Sequence, residues 1–255
     1  MQNALLVGLS RQVALERELD VVANNLANIN TTGFKSDGSL FEEFVGKTAR
    51  SDKMTEKDRK VSFVRDRTTW IDMSQGVMQR TGNPTDIAID GEGYMVVQTP
   101  NGERYTRNGA LQINAQGQLV TADGNPVLGE SGPIVFQPKD RNIEISPDGT
   151  ISVQDGATTN TEALRGKLRM VSIDNPGALL KQGANTFSVP DGLNVTPNTT
   201  GRFVQGSIEK SNVHSVLEMT RMIEVTRSYT QIATMMSQQA DLQKSAIDKL
   251  AEMPN

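Results

Sequence analysis

The sequence predicts an α+β protein. A central all-β domain of short antiparallel strands is bracketed by N- and C-terminal amphipathic helices, which together form a discontinuous, coiled-coil-like helical domain. Three observations predict this class. Apolar residues step by threes and fours near the N-terminus, and they do so again near the C-terminus. Between them, Gly-containing turn dipeptides punctuate short β-prone runs.

The first helix is expected from Leu5 to Ile29, a stretch with no Pro and one Gly. Leu5, Gly8, Gln12, Leu15, Leu19, Val22, Leu26 and Ile29 keep a heptad spacing, and all but Gly8 and Gln12 are apolar. The helix should stop near Asn30, where Thr31, Thr32 and Gly33 supply β-branched and turn residues. Residues 1–35 are thus one half of the helical domain, and 36–60 a linker or arm. Within it, GKTARSDKMTEKDRK (Gly46 to Lys60) mixes both charge signs with almost no apolar residue, as a solvated loop or a contact arm would.

Residues 61–205 read as the β domain. Asn101-Gly102, Asn108-Gly109, Gln116-Gly117, Asp123-Gly124 and Asp148-Gly149 favour tight turns, and their recurrence predicts a meander. Candidate strands are Ile87 to Ile89, Met95 to Thr99, Arg104 to Arg107, Leu111 to Asn114, Gln118 to Thr121, Ile143 to Ser146, Ile151 to Gln154, Lys167 to Ile173 and Phe187 to Pro190. Residues 206–255 return to helix from Val213. Ser215 and Glu218 have capping-box spacing, and Met222, Val225, Tyr229, Ile232 and Met236 form a second seam. That seam weakens at Gln239 and Gln243 and resumes at Ala246 and Leu250.

Composition removes several function classes. The formal net charge is −4, without the basic surplus that phosphate tracking needs, so no nucleic-acid partner is expected. Absence of cysteine excludes disulfides, zinc–thiolate sites and thiol nucleophiles, and a single histidine, His214, excludes a multi-histidine metal site within one chain. No apolar run approaches the roughly 20 residues of a membrane span, and the N-terminus lacks the pattern of a cleaved signal peptide. No P-loop, dinucleotide fingerprint or G-x-S-x-G motif is present. Asp86, Asp90 and Glu92 are the one acidic cluster that tempts a chemical reading, but their spacing is not that of a calcium loop. They read as turn and strand-end residues, so no catalytic, cofactor or metal site is expected. His214, just before the second helix, suits a local hydrogen bond.

Two helices alone are too thin to bury both seams, and the surplus apolar surface calls for helices from other copies of the chain. The expected subunit-interface residues are Leu15, Leu19, Val22, Leu26 and Ile29 on the first helix, and Met222, Val225, Tyr229, Ile232 and Met236 on the second. Asn24, Asn25 and Asn28 join them, because Asn is a poor helix former and earns its place by hydrogen bonding, here across subunits. Asn30 with Gly33 is read as the cap, and Phe34 as an anchor to the β domain.

Four segments carry a family resemblance: Ala23 to Lys35 (ANNLANINTTGFK), Gln75 to Tyr94 (QGVMQRTGNPTDIAIDGEGY), Glu103 to Leu111 (ERYTRNGAL) and Gly206 to Thr230 (GSIEKSNVHSVLEMTRMIEVTRSYT). In this order they closely resemble flagellar rod and hook axial proteins, and the opening MQNALLVGLSRQ is most similar to the proximal rod proteins. Tyr94 and Ala110 stand where that family more often has Phe. The resemblance implies a structural subunit of the basal-body rod in the periplasm, exported unfolded by the flagellar type III apparatus without cleavage. It implies terminal helices that order on assembly with copies of the chain and with other proximal and distal rod proteins, no cofactor, and no membrane insertion. A distal rod subunit is the alternative within the family. A secreted adhesive β-domain protein is the alternative outside it, and a hydrolase built on Asp86 and Asp90 is a third.

Overall fold

The computed structural model describes residues 2–46, 61–155 and 162–251 and divides into two compact units. One comprises residues 1–27, 37–70 and 214–255; the other comprises 28–36 and 71–213. The charged arm Gly46 to Lys60 lies, beyond Gly46, outside the described residues.

The helical unit contains α1 (Gln2–Ala27), a hairpin of strands Asp37–Gly46 and Val61–Ile71, and α2 (Ser215–Ala251). The second hairpin strand joins the helices rather than the β unit, because its backbone partner is the strand that follows α1. α1 and α2 run antiparallel, as three contacts show. Gly8 lies against the Met236 side chain, Gln12 Nε2 donates to Tyr229 Oη at 2.9 Å, and Arg221 Nε donates to Glu18 Oε1 at 2.9 Å. A Cβ at Gly8 would sit 3.2 Å from Met236 Sδ, so glycine lets the helices approach closely there.

α2 tolerates Thr220, Thr226, Thr230 and Thr234 because each hydroxyl donates to the carbonyl one turn back, at 2.7–2.9 Å. At about 1.5 Å per residue α2 is roughly 55 Å long. Its expected capping box does not form. The helix begins after His214, whose carbonyl accepts the Glu218 N–H at 3.0 Å, and Glu218 Oε2 is buried with no partner. His214 thus makes a local hydrogen bond, through its backbone.

The second unit is built on a six-stranded antiparallel sheet. Across the sheet the order is Leu180–Lys181, Thr186–Ser188, Gly102–Thr106, Tyr94–Thr99, Met170–Ile173 and Val195–Pro197. This is not the expected meander, since strands from late in the chain return to both sides of the central hairpin. Met95 and Val97 pack into one core with Ile87, Leu111, Leu119 and Phe203, while Tyr94 and Val96 pack into another with Val171, Leu179 and Phe187. Alternate side chains of one strand therefore serve opposite faces, which is why Tyr94 to Val97 is apolar throughout.

A three-stranded sheet of Asp140–Ile145, Thr150–Asp155 and Glu162–Lys167 lies alongside, its first turn using Asp148 and Gly149 with φ +88°. The expected strand Lys167 to Ile173 is in fact two, ending one sheet and entering another. Leu168 breaks away between them to bridge Gly129 and to donate its N–H to Gly149. Gly109 is not at a left-handed turn. Its carbonyl accepts the Ile87 N–H, and a Cβ there would lie 1.6 Å from Ile87 O. The chain leaves the unit through Arg202–Gln205, paired with Ile87–Asp90, and Ser207–Glu209, paired with Met78–Arg80.

Candidate functional site

The helix pair buries little. Ala14, Val22, Asn25 and Val225 are its buried non-glycine positions among the described residues, whereas Leu15, Leu19, Leu26, Met222, Tyr229, Ile232 and Met236 stay half-buried. The two seams do face each other, but one partner helix covers only one flank of each. Gln239 and Gln243 remain half-buried, Ala246 is exposed, and the side chains of Leu5 and Leu250 lie outside the described residues.

The asparagines divide. Asn25 is 1% exposed and pairs with the Asp37 backbone like a strand residue. Its Nδ2 donates to Asp37 O at 2.8 Å, and its Oδ1 accepts from Asp37 N at 2.9 Å. That corrects the intersubunit bond expected of it, because both ends of its amide are already used within the chain. Asn24 is exposed and reaches the Asp37 carboxylate at 3.4 Å. In the other unit, Asn28 shapes the helix exit, with Oδ1 accepting from the Thr31 hydroxyl and its carbonyl from Thr31 N–H, while Ile29 is half-buried.

The residues after that exit form the most constrained site of the β unit. Gly33 has φ +68° and donates to Glu209 O at 2.8 Å, and a Cβ there would fall 2.5 Å from Asn108 N. Phe34 is buried beneath Lys181, whose Nζ lies 4.2 Å from the ring centroid. Lys35 is fully buried and its Nζ donates to Glu209 Oε1 and to Ser74 O, both at 2.6 Å. Glu209, also fully buried, accepts the Gly76 N–H at 3.0 Å on the same oxygen and Arg107 Nη1 at 3.0 Å on the other. Arg107 completes the cluster by donating to Gly91 O at 2.7 Å and lying 5.3 Å above the Tyr94 ring.

Two buried cations thus share one carboxylate. Desolvation holds the Lys35 ammonium below its ordinary pKa, against the opposing pull of Glu209. Arg107 Nε is buried and has no acceptor. Such a cluster does not suit proton transfer, as every group is packed away from solvent; it fastens the strap 28–36 to the strand that leads out of the unit. Sequence reasoning missed Lys35, Arg107 and Glu209 as a group. No local signal marked them, because polar or charged neighbours such as Ser36, Arg104 and Lys210 accompany each.

Residues 5–35 match the family described as "Flagella basal body rod protein", residues 88–153 the "Flagellar hook protein FlgE/F/G D1 domain", and residues 204–249 the "Flagellar basal body rod FlgEFG protein C-terminal". "Flagellar basal-body rod protein FlgF" of Caulobacter vibrioides is 39% identical over 99% of this chain and 100% of its own length. The FlgF protein of Mesorhizobium japonicum is 36% identical over 98% of each chain, and the rod protein FlgG of Bacillus subtilis 32% identical over 90% of this chain and 92% of its own.

The chain belongs to the flagellar basal-body rod protein family.

It is a FlgF-like structural rod subunit, and the family places it in the basal body among other rod components. Each of the three matched regions contributes one member of the buried cluster: Lys35, Arg107 and Glu209.

The acidic residues of DIAIDGEG sit in different settings. Asp86 is buried and accepts from the Thr81 hydroxyl at 2.7 Å and Asn83 Nδ2 at 3.1 Å, closing a turn, while Asp90 and Glu92 are exposed. Among the described residues no group of three or more His, Asp or Glu is placed to hold a metal, and no helix is long and apolar enough to cross a membrane.

Proposed function

We propose that this rod subunit polymerises with copies of itself through α1 and α2, the two acting as one axial core that lines a hollow shaft and transmits torque. The observation that carries this reading is the half-burial of Leu15, Leu19, Leu26, Met222, Tyr229, Ile232 and Met236 after the helices have paired. A seam that one partner covers on one flank gains by accepting a second helix on the other. Asn24, Asn28 and Ile29 border the same region in sequence and are assigned to the interface with them, whereas Val22 and Val225, at 0% and 5% exposed, are already covered within one chain and are corrected from the interface expected of them.

The rod lies in the periplasm, and the subunit reaches it unfolded through the flagellar type III apparatus without a cleaved signal. The ordering entropy of the helices is offset on assembly by intersubunit burial. Its partners are proximal and distal rod proteins, with no nucleic acid, no cofactor and no catalysis. End-to-end similarity to FlgF proteins supports the proximal position.

Ile232→Asp tests the reading. The variant places a carboxylate in the half-buried seam, so cells carrying it should lose swimming and lack completed rods. Melting of the β unit in the purified chain should be unchanged. Wild-type swimming would remove the seam from the interface.

A further inference from the structure

Both apolar cores of the β unit close without residues 28–36. Among the described residues their members run from Ile71 to Phe203. Phe34, the one buried apolar side chain of the strap, lies outside both, beneath Lys181. Polar bonds hold the strap instead, and they come in two sets. In the first, Gly33 N–H donates to Glu209 O at 2.8 Å, Ser36 N–H donates to Asn212 Oδ1 at 2.8 Å, and Ser36 O accepts the Asp72 N–H at 2.9 Å. In the second, Lys181 Nζ donates to Lys35 O at 2.6 Å, and Asn185 Nδ2 donates to Thr32 O at 3.0 Å.

The second set belongs to a clasp that the six-stranded sheet builds for itself. Leu180–Lys181 and Thr186–Ser188 pair across a turn in which Gly183, Ala184 and Asn185 follow one another at φ +60°, +50° and +50°. Successive left-handed residues are disfavoured for L-amino acids, so this turn needs support. It finds that support within the sheet: Thr186 N–H donates to Gly183 O at 2.9 Å, and the Thr106 hydroxyl donates to Asn185 O at 2.8 Å. None of these bonds uses the strap. The clasp is therefore in place whether the strap is seated or not.

Lys35 opposes seating as well as favouring it. Its ammonium and the Glu209 carboxylate, both fully buried, give up water when the strap closes and recover it on release. Closure is thus a balance between hydrogen bonds and desolvation, and no apolar core is broken when the strap leaves. Segments held in that way open at lower free energy than the core strands.

We propose that strap 28–36 is a latch: the β unit has a second folded state in which the strap has left the clasp and Glu209 while both cores stay packed. The chain passes between its two units four times, at 27–28, 36–37, 70–71 and 213–214. With the strap released, only the last two still lead into the folded β unit. Closing the latch doubles the covalent attachments of that unit. Opening it adds nine residues of slack after α1, roughly 30 Å when fully extended. The device goes beyond polymerisation through the helices and does not depend on it.

Native-state hydrogen exchange of the full, unassembled chain across sub-denaturing urea concentrations tests the latch. The Gly33 and Ser36 amides should exchange through an opening that responds weakly to urea. They should exchange at least about 100-fold faster than Tyr94–Thr99 and Gly102–Thr106, whose urea slope is that of global unfolding. Asn185→Gly keeps the left-handed backbone and removes the amide that holds Thr32. It should raise strap exchange about five-fold and leave the two strands unchanged. Equal slopes and equal protection in strap and strands would overturn the latch, since the strap would then open only as the whole unit unfolds. Strap exchange at the rate of a free peptide would overturn it too, because no closed state would exist. No rise with Asn185→Gly, or an equal rise in strap and strands, would overturn the role of the clasp. Polymerisation is read separately, from the Ile232→Asp cells.

Discussion

Glu209→Gln keeps the size of the side chain and removes the one carboxylate that joins Lys35 and Arg107 in the buried cluster. Glu209 is fully buried between Lys35 and Arg107, at 2.6 and 3.0 Å. A glutamine oxygen can still accept from Lys35 Nζ, but its amide nitrogen then faces Arg107 Nη1, donor against donor. Two cations, each at least nine-tenths buried, are left without their hydrogen-bonded counter-charge. Removing one partner of a buried ion pair costs about 3–5 kcal/mol. For a unit of this size, each kcal/mol lowers the melting temperature by roughly 2–4 °C, so the fall should be of the order of 10 °C.

Lys35→Met is the contrasting variant. It removes a cation whose desolvation outweighs its attraction to Glu209, and it leaves Glu209 paired one-to-one with Arg107. Its cost should be the lost hydrogen bonds alone, about 1–2 kcal/mol. Both variants would be measured by calorimetry and by urea unfolding of the full chain. Equal destabilisation by the two, or a loss below about 1 kcal/mol for Glu209→Gln, would refute the account of Glu209 as the charge that holds two buried cations.

Two further outcomes follow from single positions. Gly33→Ala should destabilise the β unit by at least about 2 kcal/mol in urea unfolding, from positive φ and from contact with the 107–108 backbone. Gly33→Asn, which tolerates the dihedral but not the contact, should do no better, and a clear rescue by Asn would show that φ alone matters. At acid pH, Arg165 donates to Asp140 at 2.7 and 2.5 Å and holds its carboxyl below the ordinary 3.8. The pair's stabilisation is therefore complete above the unfolded value of about 4 and is lost as pH falls through the lower folded one. Asp140→Asn should flatten this part of the stability-versus-pH curve below pH 4. An unchanged slope would mean that other carboxylates dominate acid unfolding.

The helices and the β class were legible because their signals are local. Spacing by threes and fours within one segment is enough to specify α1 and α2, and each Asp-Gly or Asn-Gly turn needs only its own neighbours. The pair of seams even announced a shortage of covering surface, through the number of apolar positions against two helices. The return of late strands to both sides of the Tyr94–Thr99 and Gly102–Thr106 hairpin had no such mark, since those strands are short and their partners distant in sequence. Asn25 looked like an interface residue because a buried amide in a helix needs partners, and only the folded chain brings the Asp37 backbone to it.

The Lys35–Glu209 pair spans 174 residues, and neither residue differs locally from an exposed charge. The amino-acid sequence by itself determined which segments would be helix and which would be sheet, and that apolar helix surface would be left over. Only the tertiary structure decided which charges are buried together, which asparagine is used internally, and which helix faces remain exposed. Those outcomes depend on contacts between segments far apart in the chain, and no local propensity encodes them.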